Sequence, residues 1–242
     1  MLKKYNVELE GQIEFYEQYL KIVNPELNYE DIFRNNTDGI LNGNILEFKL
    51  NITDLNACLF QTIKYLSAMR IKGEPIPANN LLISLNTATI YLYHSEEYLN
   101  QIEKVYVGAA SKNNAGFFAS DYISKLKYVE KEEDEFYLTQ LLKENNYTKI
   151  NIDENCIVGW AEKYYRENPQ ARKSDFIGDN TGKVNIIGEI REPNKFKDYI
   201  YPYAGKDNVR FQYLMDKLND TLQKKNLGAF YTPEPYVDKS IE

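Results

Sequence analysis

Two acids and a lysine stand in the otherwise apolar arms of Thr37-Asp38-Gly39-Ile40-Leu41-Asn42-Gly43-Asn44-Ile45-Leu46-Glu47-Phe48-Lys49-Leu50. Asn42-Gly43 is a preferred pair for a two-residue type I′ hairpin turn, in which both central residues take positive φ. That turn sets Leu41 against Asn44, Ile40 against Ile45, Gly39 against Leu46 and Asp38 against Glu47. Alternation then places Asp38, Ile40, Ile45, Glu47 and Lys49 on one face. Leu41, Leu46, Phe48 and Leu50 take the other face, which is predicted to enter the core. Opposed carboxylates have Cβ atoms about 5 Å apart and destabilise the pair. Their repulsion is about 1 kcal/mol in water and about 4 kcal/mol at an effective dielectric of about 20. Lys49 relieves part of this. A hard divalent cation relieves it better, because Mg²⁺ takes one or two carboxylates together with water and phosphate oxygens. Such a cradle suits attack on a phosphate ester: the ion lowers the pKa of a bound water and stabilises a pentavalent phosphate, while the ammonium positions or helps activate the nucleophile. The competing reading is a surface ion pair on a solvated hairpin.

The elements around the hairpin are legible from spacing. Leu9, Ile13, Tyr16 and Leu20 recur at helical intervals and predict an amphipathic helix over about 5–23, ended by Asn24-Pro25. After the hairpin, Asp54 caps a second predicted helix of about 55–71 with Leu55, Leu59, Ile63 and Leu66 on one side. Lys72-Gly73-Glu74-Pro75 closes it. Asn80–Leu85 and Thr87–Tyr93 read as strands around a turn at Asn86, and Val105–Ala110 as a further strand or a buried loop. From about 130 to 225 the pattern is helical and irregular, in LTQLLKEN, VGWAEKYYREN and RFQYLMDKLNDTLQKK. No internal repeat or low-complexity segment interrupts it.

A chain of 242 residues accommodates one large domain, or one domain with a smaller appendage. Hydrophobic residues at 43% and charged residues at 27% are those of an ordinary globular protein. No apolar run approaches the roughly 20 residues that span a bilayer, and MLKKYNVELEGQIEF lacks the apolar core of a secretory signal. Cys58 and Cys156 are isolated thiols without metal-ligand spacing, so a reduced, cytoplasmic protein is expected. The net charge of −7 argues against a free-standing nucleic-acid binder. Much of the excess lies in Glu130-Lys131-Glu132-Glu133-Asp134-Glu135, read as a solvated linker or a helix start. His94 is the single histidine and reads as a surface or capping residue; one histidine excludes multi-histidine zinc sites and disfavours a Ser-His-Asp hydrolase.

The pattern Asp38…Glu47-Phe48-Lys49 resembles the signature of the PD-(D/E)XK nuclease superfamily, in which the signature lies on a hairpin between two helices. Gln61-Thr62-Ile63-Lys64-Tyr65, beginning twelve residues after Lys49, resembles the Gln-x-x-x-Tyr motif of some branches, and its two named residues share a helix face. Thr37 stands where many members have proline. The resemblance implies an α/β (α+β) fold: a restriction-endonuclease-like core with a mixed central sheet flanked by helices, followed by a mostly helical connector. It implies Asp38, Glu47 and the Phe48 carbonyl as ligands of Mg²⁺, with Mn²⁺ substituting. Lys49 would position and help activate water, and Gln61 would orient that water or a phosphate oxygen. Products would carry 5′-phosphate and 3′-hydroxyl ends. A first-helix acid, Glu10 or Glu14, approaches the metal in some relatives; a solvent-facing stripe is the other reading of that pair.

Leu227-Gly228-Ala229-Phe230-Tyr231-Thr232-Pro233 resembles the element that opens N6-adenine DNA methyltransferase domains. A nuclease signature, a helical connector and this element follow one another as in type IIG restriction–modification enzymes. The implied organisation is a nuclease domain over 1–130, a connector over 131–225 and the start of a truncated methyltransferase over 226–242. No Asn/Asp-Pro-Pro-Tyr/Phe motif or Gly-rich cofactor loop is present, so S-adenosylmethionine would belong only to the full-length enzyme. Phe230, Tyr231 and Thr232 take no cofactor role here. The partners implied are double-stranded DNA, the missing methyltransferase and target-recognition domains, and a transient second copy for double-strand cleavage, with no membrane, in a prokaryotic cytoplasm. In the connector, Arg166, Arg172, Lys173, Lys195 and Lys197 are surface residues or phosphate contacts. Trp160, Tyr199, Tyr201 and Tyr203 read as packing residues rather than base platforms. Two rivals are a non-catalytic, partner-dependent module that keeps the nuclease fold, and a repair or phage nuclease of the same superfamily.

Overall fold

The computed structural model describes residues 2–32, 39–72, 74–104 and 116–151, with Asp153 and Cys156. Asp38, the Val105–Ala110 run, the helical patterns beyond 157, the named connector residues and the Leu227–Pro233 element lie outside the described residues. Met1–Asn151 forms the body of one compact unit, and a second begins at Ile152.

In chain order the described elements begin with α1 (Glu8–Phe15), a π-helical turn (Tyr16–Leu20), α2 (Lys21–Val23) and α3 (Tyr29–Ile32). The hairpin β1 (Ile40–Leu41) and β2 (Asn44–Lys49) leads into α4 (Leu55–Ile71). Then come β3 (Ile76–Pro77), β4 (Asn79–Ser84), β5 (Thr89–His94), α5 (Leu99–Ile102), β6 (Ser124–Leu126), α6 (Glu132–Lys143) and β7 (Tyr147–Thr148). The fold is mixed α/β. Five strands form a central sheet in the order β1-β2-β4-β5-β6, mostly antiparallel, with β2 and β4 parallel. That parallel pair is joined through α4, since parallel neighbours need a crossover. A small antiparallel pair, β3 with β7, completes the strands.

The sheet is buried on both faces. Leu46 and Phe48 of β2, Leu81 and Ile83 of β4, Ile90 and Leu92 of β5 and Leu126 of β6 share one face, against α1, the π-helical turn and α6. Phe15 meets Phe48 edge-on at 5.3 Å and Tyr128 at 5.6 Å, within the preferred range for aromatic pairs. On the opposite face α4 packs over β2 and β4.

Several expectations need correction. The first helix does not bury Leu9 and Ile13, which are 50% and 45% exposed; it buries Gly11, Gln12, Phe15, Tyr16, Tyr19 and Leu20. Gly11 lets the helix approach Leu85 closely, and the π-helical turn shifts the helical phase of the residues after it. The hairpin has the expected register, Ile40 with Ile45 and Leu41 with Asn44, but only Asn42 of the two turn residues takes positive φ (52°). Gly43 is needed for space instead: a Cβ there would stand 1.9 Å from the Asn146 carbonyl oxygen. The acidic run is a helix start, Glu132–Glu135 forming the first turn of α6, where acids complement the helix dipole. That helix contributes Leu138, Leu141 and Leu142 to the core, so the first compact unit continues past 130.

Candidate active site

Glu47 lies near the C-terminal end of β2, on the face that also carries Ile45 and Lys49 and that α4 covers. Its side chain is 0% exposed, so the solvated-hairpin reading does not hold. A buried carboxylate costs several kcal/mol to desolvate unless it is paired. Lys49 supplies the charge: its Nζ donates to Glu47 Oε1 at 2.5 Å and to the Phe48 carbonyl at 2.8 Å. The lysine is 34% exposed and connects the buried acid to solvent.

The Phe48 side chain points to the opposite face, into the α1 cluster. The strand thus holds its ion pair by burying alternate residues in a different layer. Across the sheet, Glu47 is in register with Leu82, Tyr91 and Lys125.

On α4, Asp54 caps the first turn by accepting from Ala57 N at 3.0 Å, and the helix ends at Ile71 as the closing motif requires. Gln61 and Tyr65 are half-buried, and Gln61 Nε2 donates to the Tyr65 hydroxyl at 3.0 Å. Tyr65 therefore fixes the amide of Gln61 on the helix that overlies the Glu47 face.

Small polar residues pin the exit of β2, and sequence reasoning missed them. Asn86 N donates to the Leu50 carbonyl at 2.9 Å, and Ile52 N donates to Ser84 Oγ at 3.3 Å. Thr87 Oγ1 donates to the same Ser84 hydroxyl at 2.8 Å. Ser84 is the register partner of Lys49, so this turn holds the backbone beside the lysine. The only sequence signal was the run of Ser, Asn and Thr between two apolar strands.

Asp38 is the expected residue whose position the described structure does not include. Glu14 lies on the other side of the sheet, ion-paired to Lys3, and Glu10 is exposed. His94 is exposed, its Nδ1 within 2.9 Å of Asn79 Oδ1. Among the described residues no three His, Cys, Asp or Glu side chains cluster to hold a metal ion. No described helix is long and apolar enough to cross a membrane.

Hard oxygen donors suit a divalent cation, and Glu47 and the Phe48 carbonyl are such donors. The Lys49 ammonium engages the Phe48 carbonyl and Glu47 Oε1, while Glu47 Oε2 accepts no hydrogen bond from a described residue, and the partial exposure of Lys49 allows the ammonium to swing outward.

Compared with protein-family models, curated proteins and solved structures, the chain gives no match.

Proposed function

We propose that the first compact unit is a metal-dependent nuclease domain that hydrolyses DNA phosphodiester bonds. The observation that carries this reading is Glu47, a wholly buried carboxylate paired at 2.5 Å with Lys49 beneath the helix that bears Gln61. An apolar pair of similar volume would be about as stable there or more so, so the pair gains its meaning from chemistry. The order helix, hairpin, helix and parallel strand supports a restriction-endonuclease-like core of the PD-(D/E)XK kind.

In this reading Asp38, Glu47 and the Phe48 carbonyl would hold Mg²⁺, which supplies charge stabilisation to the phosphate and acidity to a bound water. Lys49, freed from Glu47, hydrogen-bonds the attacking water and balances charge on the phosphate. Gln61, steadied by Tyr65, orients the water or a phosphate oxygen. The water oxygen bonds to phosphorus and gives its proton to solvent. The P–O3′ bond breaks and the 3′ oxygen takes up a proton, leaving 5′-phosphate and 3′-hydroxyl ends. Tyr91, two strands or roughly 10 Å from Glu47, and Lys125, three strands or roughly 14 Å away, offer an aromatic ring and a cation for base and phosphate contacts on the same face. A type IIG restriction–modification setting, with a following adenine methyltransferase, is the context proposed.

Strand cleavage with Mg²⁺ or Mn²⁺ tests the reading. Wild type nicks or cuts DNA, and Glu47→Ala and Lys49→Ala each lose at least about a hundredfold in rate, the scale of one electrostatic catalytic group. Equal cleavage by wild type and Glu47→Ala would remove the proposal. One observation favours the non-catalytic alternative: Lys49 already engages the Phe48 carbonyl and one of the two Glu47 oxygens. Mn²⁺ titration separates the two readings, since a competent site binds the ion and loses it in Asp38→Ala.

A further inference from the structure

On the face of the sheet away from Glu47, a cavity of about 190 Å³ opens between α1, the π-helical turn and the end of β6. Its walls include Phe15, Tyr19, Leu85 and Tyr128, and its mouth is formed by Lys3 and Glu14. The segment bearing Lys3 is fixed from below: Tyr5 N donates to Asn86 Oδ1 at 2.7 Å, and Asn86 Nδ2 donates back to the Tyr5 carbonyl at 3.3 Å. Glu14 pairs with Lys3 and accepts from Gln18 Nε2 at 3.2 Å, while the Lys3 ammonium stands 5.3 Å from the centre of the Tyr5 ring.

The interior has a different chemistry from the mouth. Tyr19 and Tyr128 are 8% and 5% exposed, and neither hydroxyl hydrogen-bonds to a described residue. Neither hydroxyl is sealed from solvent, so covering it with an apolar group would cost it a hydrogen bond to water. Their rings are fixed edge-to-face at 5.4 Å, and Phe15 is fixed to both, so the two phenols keep their places. Burial raises both phenols, Tyr19 to about 12, so they are neutral and able to donate at ordinary pH.

Size limits what fits. A cavity of about 150 Å³ takes up benzene, so this one admits a single ring system slightly larger. A purely apolar ring would leave both phenols unmatched, whereas a planar heterocycle with ring nitrogens or exocyclic oxygens would pair them. Its donor edge would meet the Glu14 carboxylate. We propose that this cavity is a binding site for a small planar nitrogen heterocycle of nucleobase size, held between aromatic walls and hydrogen-bonded by Tyr19 and Tyr128. The site is independent of the proposed nuclease centre, which occupies the other face.

Calorimetric and NMR titration of the full chain with adenine, cytosine and benzene tests it. At least one of the two bases binds with Tyr19 and Tyr128 ring resonances shifting, and more tightly than benzene. Tyr19→Phe/Tyr128→Phe retains the rings and weakens that binding about tenfold or more, the worth of two hydrogen bonds. Glu14→Gln provides a second variant, outside the core, that weakens base binding but not benzene. Absence of binding by both bases at millimolar concentration overturns the proposal, as does undiminished base binding in the phenylalanine double variant or the same affinity for benzene. Cleavage assays are not involved, so failure here leaves the nuclease reading untouched and failure there leaves this one.

Discussion

Glu47 leaves water completely when the chain folds, and the nearest described cation is only two residues away on the same strand. The pair is therefore local in sequence but stabilised by distant layers: α4 above it and the Phe48 cluster behind. Removing one partner of a buried pair costs about 3–5 kcal/mol, whereas replacing both with apolar residues is often neutral. Lys49 is partly exposed, so Lys49→Met is expected at or below the lower end of that range. Glu47→Met/Lys49→Met should recover most of the loss, and urea denaturation of the two single variants and the double measures the coupling. A double variant as unstable as the sum of the singles would show that no such pairing operates. Asp38, Glu47 and Lys49 stood out in the sequence as candidates because acid opposite acid and Glu-x-Lys on one strand face are costly arrangements, and Gln61 through the Gln-x-x-x-Tyr resemblance. The depth of Glu47 was not, because alternation predicts which face a residue takes and not what covers that face. Nor was the grip of Lys49 on the Phe48 carbonyl, which depends on a side-chain rotamer.

At the scale of elements, α4 was legible at both ends because its signals are local: an aspartate cap and a Gly-Pro closure. The hairpin register was legible for the same reason, although Gly43 serves a contact 103 residues away in sequence rather than its own φ. Gly43→Ala must push the Asn146 backbone aside. It is expected to cost about 1–3 kcal/mol, as overpacking does, read as a lower denaturation midpoint. An unchanged midpoint would show that the 144–146 segment yields freely. The first helix was misread because a regular stripe through Leu9 and Ile13 assumes an uninterrupted 3.6-residue period. The buried set instead runs through Gly11, Phe15 and Tyr19, and large aromatic side chains gain more by burial than Leu9 and Ile13 do. The turn at Asn86, seen in the sequence only as a break between strands, ties the N-terminal segment to the exit of β2.

For the described unit as a whole, buried tyrosines set an alkaline limit. Burial first, then neighbouring acids, phenols and a thiol, push Tyr19 and Tyr93 up to about 12, and burial raises Tyr128 as well. An unfolded tyrosine ionises near 10, so between about pH 10 and 12 the unfolded chain sheds protons that the folded one retains. Stability from these groups is full below about pH 10 and declines as pH rises through that window. Denaturation midpoints measured across it should fall, with tyrosinate absorbance appearing late; early, uniform ionisation would contradict the burial. The hairpin turn carries a further consequence, for the time at which the fold can close. Asn42 Nδ2 donates to the Leu142 carbonyl at 2.6 Å and Asn44 Nδ2 to that of Leu141 at 3.0 Å, separations of 100 and 97 residues. These amides terminate α6, so a ribosome must extend the chain by about a further hundred residues before the hairpin meets its lock. Nascent chains halted short of α6 should leave the β2 amides open to solvent deuterium, and protection should arrive in one step once that helix emerges.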